Sequence, residues 1–332
     1  MRAEVAISQD INLETIRTLI DSDIAAVDAL IQQRLQSEVV LINQLGRYIV
    51  NNGGKRLRPI LVLLSANACG YTGSQHIDIA SIIEFIHTAT LIHDDVVDAS
   101  ELRRGKDTAN TIWGNEASVL VGDFLYSRAF EMMVDVGQMR IMEILSHATN
   151  VIAEGEVMQL LNCNDADTTI ERYLHVIHCK TAKLFESAAQ LGAVLAQRPQ
   201  AEETALARYG MHLGTAFQLI DDMLDYSASS EEIGKNIGDD LAEGKPTLPL
   251  LYAMKQGTAE QRQVIRHSIE TGGLEYIDQV LGAIESTGAL TYTARAAEQE
   301  AEKAIATITL LPASPYKDAM IALAHFAAHR NY

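Results

Sequence analysis

Aromatic residues make up only 5% of this sequence, and its 332 residues include three cysteines and six prolines. Each scarcity excludes something. Cys69, Cys163 and Cys179 form neither a CxxC pair nor a disulfide framework, so a reducing compartment, the cytoplasm, is the expected location. No proline falls between Pro59 and Pro199, and little β-branched alternation is bounded by turn residues, which disfavours strands. No run of about 18 uncharged apolar residues occurs, so no membrane-spanning helix is expected. The opening MRAEVAISQDINLETI has no apolar core behind a basic start and does not read as a secretory signal. Positive charge is also short: 26 Lys and Arg against 44 Asp and Glu, a net −18. That balance argues against a nucleic-acid partner and against a basic membrane-docking face. An anionic ligand must therefore meet local basic clusters or bound cations.

What is present is helical periodicity, with 48% hydrophobic residues to build a core. Two helices are expected over 12–50. A central helix apolar on nearly all sides is expected over 77–98, and others over 119–136, 139–162, 168–196, 201–227, 247–256, 259–271, 275–286, 289–309 and 316–330. Residues 99–116 and 227–247 read as polar loops, the second long enough to suggest a function. The expected fold class is all-α, one domain over residues 1–332.

The central helix runs straight into carboxylates, in LIHDDVVDASELRRGK (91–106). In a helix Asp94 and Asp98 share a face one turn apart, and Asp95 is turned about 100° away. FQLIDDMLD (217–225) repeats the spacing with Asp221, Asp222 and Asp225. Like charges at i,i+4 repel, and a cation offsets that repulsion. Mg²⁺ suits such a site, since it takes one or two carboxylates, waters and phosphate oxygens. One copy alone is commonly a solvated helix end, but two copies, each closing an apolar helix, point to a metal–diphosphate site. Neither has the loop of an EF-hand.

Basic residues cluster near these motifs. GGKRLRP (53–59) presents Lys55, Arg56 and Arg58; Arg103 and Arg104 follow the first motif; Lys180 lies mid-chain, and Lys235 and Lys245 lie in the long loop. Arginine matches phosphate oxygens bidentately and lysine supplies point charge. GDDLAEGKP lacks P-loop spacing, and His325 and His329 have no Glu between them to suggest zinc.

These stretches resemble the trans-isoprenyl diphosphate synthases. DDVVDASELRRG is similar to that family's first aspartate-rich motif, GTAFQLIDDMLD with GKNIGDDLAEGKPTLP to its second, and GGKRLRP to its isopentenyl diphosphate site. IEFIHTATLIHDDVVD and VIAEGEVMQL extend the resemblance, which runs from about residue 20 to the end. It implies a helical bundle with a central cavity, a homodimer, and three Mg²⁺ ions per active site. It implies that Asp94, Asp98 and Asp221 ligate Mg²⁺, with Asp95, Asp222 and Asp225 completing the shells. Lys55, Arg58, His87 and Arg104 would hold isopentenyl diphosphate. Arg103, Lys180, Thr181, Gln218, Lys235 and Lys245 would hold an allylic diphosphate, with Lys180, Thr181 and Gln218 next to the reacting carbon. The implied product is an all-trans polyprenyl diphosphate for quinone side chains, released with peripheral membrane contact.

Chain length is expected to depend on the turns before Asp94. In short-chain members of the family an aromatic residue near this position blocks the cavity; here Ala89 and Thr90 are small, with Ile86 deeper and Met133 on a facing helix. This implies a medium or long product, C40 with C35 and C45 as alternatives. A helix of 22 residues spans only about 33 Å, so a C40 tail must bend or emerge. Two other readings remain: a terpene cyclase, and a non-catalytic subunit of a heteromeric prenyl synthase.

Overall fold

The computed structural model describes residues 13–51, 54–103, 105–227 and 237–330. Arg104 and Lys235 lie outside the described residues. Among the described residues the fold is all-α, as expected, except for one two-residue antiparallel pairing. Helices α1 (Leu13–Leu19), α2 (Asp21–Arg34) and α3 (Val40–Asn51) occupy the segment read as two helices. Helix α4 (Leu57–Ala68), absent from the sequence reading, follows GGKRLRP. Pro59 sits in its first turn, where a missing N–H costs no helical bond.

Helix α5 (Gln75–Val97) is the expected central helix. Ile79, Ile82, Ile83, Ile86 and Ala89 are fully buried, each large side chain contributing roughly 1.5–3 kcal/mol by leaving water. The segment 99–116 is more ordered than a loop. Strands β1 (Leu102–Arg103) and β2 (Lys106–Asp107) form a hairpin, and α6 (Ala109–Trp113) follows it. Helix α7 (Asn115–Val136) ends at Gly137, whose left-handed φ of 72° closes the helix without a Cβ clash. Helix α8 (Met139–Asn162) comes next.

The helix expected over 168–196 is two helices, α9 (Ile170–Ile177) and α10 (Lys183–Leu195), joined by a π-turn over His178–Ala182. Helix α11 (Gln200–Leu224) carries the second aspartate motif and packs along α10. In the expected polar loop 227–247 the short helix α12 (Asp239–Ala242) forms. Helices α13 (Leu248–Gln256), α14 (Ala259–Thr271), α15 (Ile277–Thr287), α16 (Ala289–Thr307) and α17 (Pro315–His329) complete the chain. Local signals set their starts: Thr258 and Gln261 form a capping box for α14, and Ser314 accepts from the Lys317 N–H at the start of α17. The main core joins α1 to α8, α10, α11, α16 and α17, and two smaller clusters lie where α12 to α16 meet α9 and α11.

Candidate active site

The six motif aspartates fall into two sets. Asp94, Asp98 and Asp221 keep 19%, 23% and 34% of their side-chain surface exposed. Asp95, Asp222 and Asp225 are buried and held by protein donors. Asp95 accepts from Arg103, whose Nη2 lies 2.7 Å away. Burial raises the Asp95 carboxyl above its usual range, and Arg103 opposes that shift. Asp225 accepts the backbone N–H of Asp240 at 3.2 Å. Asp222 accepts the Tyr173 hydroxyl at Oδ2 and the Gln218 amide Nε2 at Oδ1, the latter at 2.7 Å. Burial and then the neighbouring Asp240 raise the Asp222 carboxyl above its usual range, while the hydrogen bonds from Tyr173 and Gln218 oppose that shift.

Two lysines reach from the later part of the chain to the first motif. Lys180, on the π-turn, lies 3.5 Å from Asp94 and 2.5 Å from Glu156, and donates to Gln159 at 2.6 Å. Lys245 lies 3.0 Å from Asp98 and pairs also with Glu243. Burial alone would lower both lysines; the carboxylates around each outweigh it and keep them charged. Glu156 is raised to about 7, first by burial and then by the neighbouring Asp94, with Lys180 opposing. Thr181, next to Lys180, donates to Gln218 Oε1 at 3.0 Å. Lys180, Thr181, Gln218, Asp222, Asp240 and Lys245 line one cavity of about 80 Å³. A wider cleft of about 440 Å³ opens beyond Thr168, against Leu251, Lys255 and Arg262, and contains none of the motif carboxylates.

The basic stretch before α4 faces the same region from another side. Arg58 is hydrogen-bonded to His87 at 3.0 Å and stacks 4.4 Å from the centre of the Phe185 ring. Burial lowers Arg58 to about 10, while Glu84 and Asp221 act against that shift. Lys55 sits 5.6 Å from the Phe326 ring centre, and Arg56 pairs with Glu84. The chain-length residues are in the core: Ala89, Ile86 and Met133 are fully buried, and Thr90 donates to the His87 carbonyl.

Several residues in this site escaped the sequence reading. Arg330 bonds Asp221 at 2.6 Å and the Phe217 carbonyl at 2.7 Å, and stacks 3.6 Å from that ring's centre. As an isolated arginine near the end of the sequence it carried no local signal. Glu156 and Gln159 stand inside VIAEGEVMQL without assigned roles, and Tyr173 lies in none of the motifs.

The donor set fits Mg²⁺. No three carboxylate, histidine or cysteine groups converge on one ion position among the described residues. None need do so, since this ion takes one or two carboxylates and completes its shell with water and phosphate oxygens. The partly exposed i,i+4 pair Asp94 and Asp98 is such a donor set.

The polyprenyl synthetase family model matches residues 39–285. The chain belongs to this family. It is 57% identical over 321 residues to octaprenyl diphosphate synthase of Escherichia coli, covering 96% of this chain and 99% of that one. It is 48% identical to an all-trans-nonaprenyl-diphosphate synthase (geranyl-diphosphate specific) of Rhodobacter capsulatus, covering 93% and 95%. Among solved structures it resembles a polyprenyl synthase of Caulobacter crescentus complexed with calcium and isoprenyl diphosphate. There the TM-score is 0.93 and the identity 43%, over 97% and 98% of the two chains. The chain is a long-chain trans-polyprenyl diphosphate synthase, and its family joins allylic and isopentenyl diphosphates with Mg²⁺. No helix among the described residues is long and apolar enough to cross a membrane.

Proposed function

We propose that this enzyme elongates farnesyl diphosphate with isopentenyl diphosphate to an all-trans product of eight isoprene units, which serves as a quinone side chain. The observation that carries the reading is the pair of lysine bridges. Lys180–Asp94 and Lys245–Asp98 tie the first motif to the cavity lined by Gln218 and Asp222 of the second. Identity to octaprenyl diphosphate synthases supports the product length. The whole chain acts as one domain, in a cytoplasmic homodimer that touches the membrane when its product leaves.

Three partly exposed carboxylates, Asp94, Asp98 and Asp221, would hold Mg²⁺, with three ions at each site. Bound Mg²⁺ supplies Lewis-acid stabilisation of the departing diphosphate. Arg103, Lys180, Thr181, Gln218, Lys235 and Lys245 hold the allylic diphosphate. Lys55, Arg58, His87 and Arg104 hold the isopentenyl diphosphate, with Arg58 fixed between His87 and Phe185. The allylic carbon–oxygen bond breaks and both electrons leave with diphosphate. The isopentenyl double bond supplies the pair for the new carbon–carbon bond, and a proton passes to the released diphosphate. Basic side chains fixed before the reaction stabilise the growing negative charge without reorganising.

The test is an incubation with farnesyl diphosphate, labelled isopentenyl diphosphate and Mg²⁺, followed by sizing of the product. A ladder ending at eight units is expected, while a cyclic hydrocarbon or no product would refute the reading. Asp94→Ala and Asp221→Ala are each expected to lower kcat by about two orders of magnitude or more in a folded protein.

A further inference from the structure

We infer that Tyr173 and Asp222 are positioning residues that fix the Gln218 amide with its oxygen, and not its nitrogen, toward the prenyl cation. The inference rests on the condensation proposed above and concerns a part of it that no motif spacing reveals. A glutamine amide has two ends of nearly equal shape, so its neighbours decide which way it points. On one side of Gln218 lies Asp222 Oδ1, 2.7 Å from Nε2. The other Asp222 oxygen is taken by the Tyr173 hydroxyl. With the Tyr173 hydroxyl donating to Oδ2 and the Gln218 amide donating to Oδ1, both Asp222 oxygens act as acceptors. A flipped Gln218 would set two acceptor oxygens against each other. Asp222 is 3% exposed and Tyr173 7%, so bulk water has little access to relieve that clash.

On the other side, Thr181 donates its only hydroxyl proton to Gln218 Oε1 at 3.0 Å. The proton order therefore runs one way, from Thr181 to Gln218 to Asp222, with Tyr173 closing the far end. Tyr173, Thr181, Gln218 and Asp222 all line the same cavity. What remains there unpaired is acceptor character: the Thr181 lone pairs and the second lone pair of Gln218 Oε1. A cation forming beside them meets negative dipole ends, whereas an amide NH₂ in that place would oppose it. Asp222 then serves the cation and not the magnesium, unlike the role implied by resemblance.

The test uses Tyr173→Phe, Gln218→Ala, the double variant of both, and Tyr173→Phe/Asp222→Leu. The last replaces both partners of the buried pair with apolar groups of similar size, which preserves folding where a single change leaves an unpaired group. Thermal melts establish that each variant is folded. Tyr173→Phe is expected to lower kcat about tenfold with KM for both diphosphates within about twofold of the parent. Tyr173→Phe/Gln218→Ala is expected to be no slower than Gln218→Ala, because the tyrosine acts only through the glutamine. Tyr173→Phe/Asp222→Leu is expected to lose kcat while calorimetric binding of Mg²⁺ with inorganic diphosphate stays unchanged. Parental kcat in folded Tyr173→Phe, additive losses in the first double variant, or Mg²⁺ binding weakened about tenfold in the second would each overturn the inference. Such a failure leaves the parent's product ladder intact, whereas failure of the condensation reading removes the ladder itself.

Discussion

Ala89 and Cys69 show how much a single buried position decides. Ala89 is fully enclosed on α5, one helical turn and a half before Asp94. Ala89→Tyr is expected to shorten the product by two or more isoprene units on chromatography. It also costs about 1–3 kcal/mol of stability through overpacking, readable as a lower Tm. An unchanged product ladder in a folded variant would remove Ala89 from length control. Cys69 carries a different consequence. Burial pushes its thiol up to about 12, aided by Glu202 and opposed by Arg198. The unfolded chain releases that proton near the ordinary thiol value, so unfolding is favoured as pH rises from about 9 toward 12. Cys69→Ala should lose stability at neutral pH from the cavity it leaves, yet decline less steeply than the parent between about pH 9 and pH 11 in urea melts. The motif aspartates were legible as a group because their spacing repeats. Their division into exposed Asp94, Asp98 and Asp221 and enclosed Asp95, Asp222 and Asp225 was not, because it depends on Arg103, Tyr173 and α12, which arrive from elsewhere in the chain.

At the scale of elements, the site depends on how closely two helices, α8 and α11, approach the π-turn. A Cβ on Gly155 of α8 would stand 2.7 Å from the Lys180 backbone nitrogen, and one on Gly214 of α11 would stand 2.7 Å from Ala182 Cα. Both contacts are with the backbone region of the segment that carries Lys180 and Thr181, so no side-chain rotation relieves them. Gly155→Ala and Gly214→Ala are each expected to cost about 1–3 kcal/mol in denaturant melts and to lower kcat more than either KM. Unaltered kcat in both would show that the π-turn tolerates displacement. The π-turn was invisible in sequence because the apolar period over 168–196 runs on without a break. Helix α4 was missed because its apolar run, PILVLL (59–64), is too short for its pattern to tell a buried helix from a strand. The hairpin at 102–107 has strands too short for alternation to register.

Across the whole molecule, a chain of net charge −18 gathers Lys180, Lys245, Arg103 and Arg58 around two acidic motifs. Chelating Mg²⁺ is expected to abolish turnover. Adding Mg²⁺ with inorganic diphosphate is expected to raise Tm by a few degrees, since a ligand that binds only the folded state stabilises it. Asp94→Ala and Asp221→Ala should blunt that rise in a thermal-shift measurement. Arg330, just after the last residue of α17, brings a third stretch of the sequence to Asp221. Proteolytic loss of the stretch that holds Arg330 would strip Asp221 of its bracing guanidinium. A label or insertion placed directly beside Arg330 would disturb that brace, so any tag meant to leave catalysis alone belongs away from α17.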